Sequence, residues 1–199
     1  MKRLFDIVFS LSVLLFFLPF GILIALFIKI SSKGPIFHAC LRIGKGGKRI
    51  FCWKFRTMML DAEKKLQKLL LDPQIKAEWG TYYKIKNDPR INFIGKFLRK
   101  TSLDEFPQFW NVLKGDLSVV GPRPVTEKEV QKYFGKKASK ILSVRPGLTG
   151  IWQTSGRNLL TFEERLQLEE KYVDHQSLAL DLRIIWKTIP AIFFSKGAF

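Results

Sequence analysis

Acidic side chains are scarce in this chain of 199 residues: 17 Asp and Glu stand against 34 Lys and Arg, a formal charge of +17. Cysteine and histidine are scarcer still, with two of each. The grouping His38, Cys40 and Cys52 has no fourth ligand and no closely spaced cysteine pair, which argues against a zinc site. Two cysteines on the side of the basic flanks read as free thiols in a reducing compartment. There is no internal repeat and no low-complexity linker. Neither aromatics nor apolar residues are lacking, since 47% of the chain is hydrophobic and 14% aromatic, which excludes intrinsic disorder. A chain of this length buries a core without disulfide or metal staples.

The basic excess is lopsided. Residues 1–100 hold 20 basic and 6 acidic side chains, net +14, whereas residues 101–199 hold 14 and 11, net +3. Such a field attracts nucleic acid, anionic lipid or phosphorylated small molecules, and composition does not separate them. One further absence does. From Ile7 to Ile28 no side chain is charged, which at about 1.5 Å per residue is roughly 33 Å of helix, comparable to the hydrocarbon core of a bilayer. The run is too long for a signal peptide and no small-x-small cleavage site follows it. Pro19 and Gly21 interrupt it, and proline removes one helical hydrogen bond, so a kink is expected. Lys2 and Arg3 before the run and Lys29 and Lys33 after it put both ends on the cytoplasmic side by the positive-inside rule. A re-entrant helix satisfies that; a spanning helix with a tolerated proline is the alternative.

Beyond the break at Ser31–Pro35, residues 36–42 and 49–55 predict a β-hairpin around Gly44-Lys45-Gly46-Gly47. Residues 58–71 predict an amphipathic helix stopped by Asp72-Pro73. Phe93, Ile94, Phe97 and Leu98 form a basic amphipathic stretch with Lys96, Arg99 and Lys100. Helices are also predicted over residues 127–142 and 161–172, and an interfacial helix anchored by Trp186 over 178–194. The expected fold is mainly α with a small hairpin, an α+β class. It divides into a membrane-inserted segment, 1–33, and a catalytic domain with interfacial helices, 34–199.

Chemistry concentrates in Ser102-Leu103-Asp104-Glu105-Phe106-Pro107-Gln108. Ser102 and Glu105 have capping-box spacing, a purely structural account. Pro107 falls where an amide should already donate into the helix, so the backbone there is expected to be irregular. The functional account is a carboxylate nucleophile whose partner helps hold a divalent cation on phosphate oxygens. Downstream, Arg123 stands between Pro122 and Pro124, a nearly fixed backbone that aims a guanidinium at phosphate. Arg145-Pro146-Gly147 and Gln153 with Gly156-Arg157-Asn158 repeat the theme.

In order, Lys54-Phe55-Arg56-Thr57-Met58, the Ser102–Gln108 stretch, Asn111-Val112-Leu113-Lys114-Gly115-Asp116, Val120-Gly121-Pro122-Arg123-Pro124, Arg145-Pro146-Gly147-Leu148-Thr149-Gly150 and Gly156-Arg157-Asn158 closely resemble the bacterial sugar transferases called monotopic phosphoglycosyl transferases. The resemblance runs from the apolar N-terminus to about Trp186. It implies a monotopic enzyme at the cytoplasmic face of the bacterial inner membrane. Such an enzyme moves a sugar 1-phosphate from a UDP-sugar to undecaprenyl or another polyprenol phosphate, releases UMP, requires Mg²⁺ and serves the start of surface polysaccharide or glycoconjugate synthesis. It further implies Asp104 as the nucleophile that forms a covalent phosphosugar intermediate, with Glu105 as its dyad partner and both as metal ligands. Arg99 is implied at the lipid phosphate and Arg123 in the Pro-Arg-Pro turn, with Arg56, Arg145, Gln153 and Arg157 as further substrate-binding candidates. The family often places serine before the proline of its re-entrant helix, where this chain has Leu18. Its longer members carry an added N-terminal membrane domain, so a minimal catalytic version is expected here. The expected partners are the UDP-sugar, polyprenol phosphate and membrane lipid, without nucleic acid. The competing classes are a non-catalytic membrane-bound assembly partner and a basic nucleic-acid-binding protein. No motif identifies the sugar.

Overall fold

A computed structural model describes residues 1–82, 85–156 and 160–193. The charge-free run folds as one helix, α1 (Lys2–Ser31), with Pro19 inside it. Most of its apolar side chains face outward, among them Phe16, Leu18, Phe20, Leu23 and Phe27. It is long and apolar enough to cross a membrane by length and composition.

The predicted hairpin forms from β1 (Phe37–Ile43) and β2 (Arg49–Phe55), antiparallel with Phe37 opposite Phe55 and Ile43 opposite Arg49. Its turn contains Gly46 and Gly47, both at positive φ, where a side chain would be strained. The amphipathic stretch gives α2 (Ala62–Leu69), and Asp72 both ends it and starts α3 (Pro73–Tyr82) by accepting the Gln74 amide. Proline at the first helical position costs nothing, because its missing N–H has no helical partner there. Helix α4 (Phe93–Lys100) is capped by Asn92, whose side chain accepts from the Gly95 amide.

A single 3₁₀ turn over Leu103–Glu105 leads through Pro107 into α5 (Gln108–Lys114), the backbone irregularity expected at that proline. Then β3 (Ser118–Val120) pairs in parallel with β4 (Gly147–Thr149). The helix predicted over 127–142 is broken into α6 (Glu127–Glu129), a π turn, a 3₁₀ turn and α7 (Ala138–Ile141). Gly135 at φ 47° interrupts it. The short α8 (Ile151–Thr154), α9 (Phe162–Asp174), whose capping box is built by Thr161 and Glu164, and α10 (Leu178–Phe193) complete the chain.

Three apolar clusters hold these elements. Ile50, Cys52, Val112, Leu117, Val119, Val120, Tyr172 and Ile184 join the hairpin, α5, β3, α9 and α10. Val125, Phe134, Ile141 and Leu166 form a second cluster. The third, Ile28, Phe55 and Leu98 with Ile24, Ala25, Leu103 and Phe106, packs the C-terminal end of α1 under the 3₁₀ turn. The opposite end of α1 is held by polar contacts. Arg3 donates to the carbonyls of Val112 and Leu113 at 2.6 and 2.9 Å, capping α5. Asp6, fully buried, accepts from Ser118 Oγ and the Val119 amide, and Lys2 bridges Asp6 to the buried Asp181. Between these ends Phe9 packs on Phe109, and Phe17 on Phe106. The contacts of α1 thus cross the boundary expected at residue 33.

Candidate active site

Residues of the Lys54-Phe55-Arg56-Thr57 run divide four tasks. Lys54, at the end of β2, bonds Glu105 Oε1 at 2.6 Å and lies 3.9 Å from Asp104 Oδ2. Phe55 fills the core beneath the 3₁₀ turn. Arg56 donates to the carbonyls of Ser32 and Lys33 at 2.8 and 2.6 Å and to Ser32 Oγ, closing off the C-terminal end of α1. Thr57 Oγ1 accepts from Arg99 Nε at 2.9 Å, so the last turn of α4 is tied to the same strand end.

Alternation along β2 aims Lys54 at the dyad, and Asn111 fixes the distance. Fully buried on α5, Asn111 accepts the Trp53 amide at 2.9 Å and donates to the Phe51 carbonyl at 2.7 Å. The strand carrying Lys54 is thereby clipped to the helix that follows Asp104-Glu105. Ser102 does not cap the dyad's turn: it lies in the left-handed region at φ 57° and makes no side-chain cap bond, so the capping-box expectation fails. That conformation costs a non-glycine residue on the order of 1 kcal/mol.

Burial, with a smaller push from Glu105, raises the Asp104 carboxyl to about 6, against the opposing charges of Lys54 and Arg99. Burial also works to raise Glu105, but the charge and hydrogen bond of Lys54, aided by Arg123 and Arg42, outweigh it and hold Glu105 below its usual range. Two adjacent carboxyls therefore have unlike characters: Glu105 is a fixed anion, and Asp104 is ionised at neutral pH but only about one unit from its midpoint.

An open polar pocket adjoins the dyad, lined by Arg42, Lys54, Glu105, Gln108, Arg123 and Gln153 together with Cys52 and Gly147. Three cations face one carboxylate there, a balance that suits a diphosphate. The two proline-flanked arginine turns are brought back to back by the parallel β3–β4 pair. Ser118 N–H donates to the Pro146 carbonyl and Gly147 N–H to that of Pro122, both at 2.8 Å. A Cβ on Gly147 would stand 2.1 Å from the Gly121 nitrogen, so both glycines are required by close backbone approach. Arg123 reaches the pocket with its guanidinium 5.1 Å from the Trp152 ring, which Arg165 covers at 4.3 Å. Glu169, buried on α9, accepts the Arg123 amide at 3.1 Å, and burial lifts its carboxyl to about 7.

The structure thus brings Glu105, Arg123 and Gln153 to the pocket; Asp104 does not line it but stands 3.9 Å from Lys54, which does, and Arg99 acts electrostatically on Asp104. Arg56 and Arg145 do not line the pocket; Arg145 donates from Nε to the Gly115 carbonyl at 2.8 Å. Arg157 lies outside the described residues. Lys54, Arg42 and Gln108 were not among the residues expected from the sequence. Lys54 was visible inside a motif, but the strand register that aims it was not.

A family model described as bacterial sugar transferase matches residues 1–195. The chain belongs to that family, and this pocket beside a carboxylate dyad is its candidate active site. It is 43% identical over 199 residues to the exopolysaccharide production protein ExoY of Rhizobium meliloti, covering all of this chain and 88% of that one. It is 42% identical over 200 residues to the UDP-galactose-lipid carrier transferase of Erwinia amylovora, and 42% over 201 residues to the undecaprenyl-phosphate galactose phosphotransferase of Salmonella typhimurium. The chain spans 42% of the length of each of these last two relatives.

Proposed function

We propose that this protein transfers a sugar 1-phosphate from a UDP-sugar to undecaprenyl or a related polyprenol phosphate, releasing UMP. The observation that carries the reading is the dyad beside Lys54: Asp104, an ionisable carboxylate, lies 3.9 Å from that ammonium, and its neighbour Glu105 lines a pocket together with Lys54, Arg42 and Arg123. Cations bind the diphosphate and offset its repulsion toward an attacking carboxylate. An Asp104 oxygen attacks the sugar-linked phosphorus, the bond from that phosphorus to the oxygen shared with the nucleoside phosphate breaks, and UMP departs with that electron pair. The phosphosugar, held as an acyl phosphate on Asp104, is then attacked by an oxygen of the polyprenol phosphate, which frees the carboxylate. Arg99, beside Asp104 at the exposed end of α4, serves the lipid phosphate.

Mg²⁺ fits the donor set. Asp104 and Glu105 are adjacent hard oxygen donors, and Mg²⁺ takes one or two carboxylates when phosphate oxygens complete its shell. Among the described residues no group of three or more His, Cys, Asp or Glu could hold a metal. When bound, the ion would neutralise phosphate charge.

The membrane reading is a monotopic one, at the cytoplasmic face of the inner membrane. Its support is that both ends of α1 pack on the same domain, Arg3 and Asp6 on α5 and β3, Ile28 on Phe55 and Leu98, while Phe16, Leu18 and Phe20 in its middle face outward. The basic excess then serves two phosphorylated substrates and anionic lipid rather than nucleic acid, in surface polysaccharide or glycoconjugate synthesis.

A UMP-release assay across a panel of UDP-sugars, with polyprenol phosphate and detergent-extracted protein, tests the reaction. UMP release by the parent and none by Asp104→Asn is the expected result. Activity retained in Asp104→Asn would overturn the nucleophile, and no UMP from any sugar would overturn the reaction.

A further inference from the structure

Both cysteines of the chain lie on the hairpin, and the ladder sets Cys40 directly opposite Cys52. The parity of the ladder follows from its ends. Arg56 N–H donates to the Ile36 carbonyl and Gly44 N–H to that of Lys48, whereas the amides of Ile43 and Trp53 point away from the hairpin, to Val125 and to Asn111. Even-numbered residues therefore occupy the hydrogen-bonded positions. Opposed Cα atoms at such positions stand about 5.5 Å apart, within the roughly 4.4–6.8 Å that a disulfide spans. Opposed Cβ atoms there lie at the wide end of about 4.5–5.5 Å, beyond the roughly 3.5–4.5 Å of a disulfide, so the two strands must draw together by about 1 Å for the bond to close. Opposed side chains share a face, and the same face carries His38 and Arg42 from β1 and Lys54 from β2. Cys52 lines the pocket beside Lys54 and Glu105.

The two thiols differ in character. Burial works to raise Cys40, but the hydrogen bond of His38, with the charges of His38, Arg42 and Lys54, outweighs it and draws the thiol below its ordinary value. Burial pushes Cys52 up to about 12. Cys40 is half-buried and Cys52 buried, and both are free. A partly accessible thiol drawn below its ordinary value among cations, with a second thiol directly opposite it on the same face of the ladder, is the arrangement of a peroxide-reactive pair.

We propose that Cys40 is a modification site for peroxides and that Cys52 resolves it, closing a cross-strand disulfide on the wall of the candidate active-site pocket. The Cys40 thiolate attacks one oxygen of the hydroperoxide, the O–O bond breaks, and hydroxide or alkoxide leaves, giving the sulfenic acid. The Cys52 sulfur then attacks Cys40 Sγ, the S–O bond breaks, and the departing hydroxide takes the Cys52 proton as water. Two thiols lose two electrons and two protons, and hydrogen peroxide becomes two waters. The new bond fixes the strand two residues before Lys54.

The test treats the full chain in detergent with hydrogen peroxide and maps the products by mass spectrometry. Expected are loss of two hydrogens, a linked pair of Cys40 and Cys52 peptides, and full reversal by dithiothreitol. In Cys52→Ala the reaction stops at a Cys40 sulfenic acid captured by dimedone; in Cys40→Ala the Cys52 thiol stays unreacted. His38→Ala slows oxidation about tenfold at neutral pH. Disulfides only between molecules, or equal reactivity of Cys52 without Cys40, would overturn the site. Oxidation is also expected to lower UMP release at least tenfold and reduction to restore it, an arm that rests on the proposed reaction. Peptide mapping separates failure of that reaction from failure of the thiol chemistry. A disulfide that forms while UMP release continues unchanged would overturn its reach into the pocket.

Discussion

Lys54 Nζ sits 2.6 Å from Glu105 Oε1 and 3.9 Å from Asp104 Oδ2, so one ammonium serves both carboxyls unequally. The nearer carboxyl is fixed as an anion; the farther one keeps a midpoint near 6 because burial outweighs a more distant charge. The lysine thereby gives the two adjacent carboxyls different protonation midpoints.

In the proposed reaction the anion of Asp104 is the attacking form, so kcat/KM should fall about tenfold per pH unit below about 6. Lys54→Met removes the charge that opposes burial. Its acid limb should move to higher pH, and the rate at neutral pH should fall at least tenfold. A pH–rate profile of both proteins checks this, and an unmoved limb would contradict the role of Lys54.

Arg56→Lys should act on stability more than on substrate binding. The guanidinium forks onto the carbonyls of Ser32 and Lys33 and onto Ser32 Oγ, which a lysine cannot reproduce. A fall in Tm of several degrees with KM for the UDP-sugar changed less than threefold is expected. Arg123→Lys should show the reverse, since Arg123 lines the pocket.

Asp6→Ala leaves Ser118 Oγ and the Val119 amide without their carboxylate and Lys2 with Asp181 alone. Removing one partner from a buried charged network costs about 3 kcal/mol. Thermal unfolding in detergent should report it as a fall in Tm on the order of 5–10 °C.

Glu169 gives a pH signature of its own. Its folded-state midpoint, about 7, lies above the ordinary 4.5, so the folded protein holds that proton more tightly than the unfolded chain. The stabilisation is complete below about 4.5 and is lost as pH rises through 7. Compared with the parent, Glu169→Gln should gain in relative Tm between pH 5 and pH 8. A constant difference across that range would refute the shift.

Labelling of single cysteines introduced at Lys2 and at Lys33, in a background lacking Cys40 and Cys52, should find both on one side of spheroplast membranes. Labelling on opposite sides would contradict the monotopic reading.

Much of this was legible in the residues. The hairpin could be read from its glycines, a helix over 161–172 from the chain's patterning, and Asp104-Glu105 and Arg123 as candidates from their local sequence. Other features depend on which chain segments meet. Asn111 looks like one polar residue in an apolar helix until β2 lies against it, and Lys54 gains its role only through that contact. Conversely, Arg56 and Arg145 resembled phosphate ligands because a guanidinium suits a carbonyl and a phosphate equally well. The helix predicted over 127–142 is interrupted at Gly135, which takes a positive φ that hydrophobic periodicity does not register. The capping box at Ser102 failed because the chain there turns left-handed before it can begin a helix.

The apolar helix is tied to the domain at both ends, by Arg3, Asp6 and Lys2 at one and by Ile28 with the Arg56 clasp at the other. Deleting it would uncover Phe55 and Leu98, remove the Asp6 carboxylate from Ser118 Oγ and the Lys2 ammonium from Asp181, and uncap α5. A chain cut after α1 would therefore lose part of its interior. Replacing α1 by an unrelated apolar helix would likewise leave the floor beneath Asp104 unrestored. The helix and the rest of the chain share one interior, so the packing of α1 and the support under the 3₁₀ turn of Leu103–Glu105 stand or fall together.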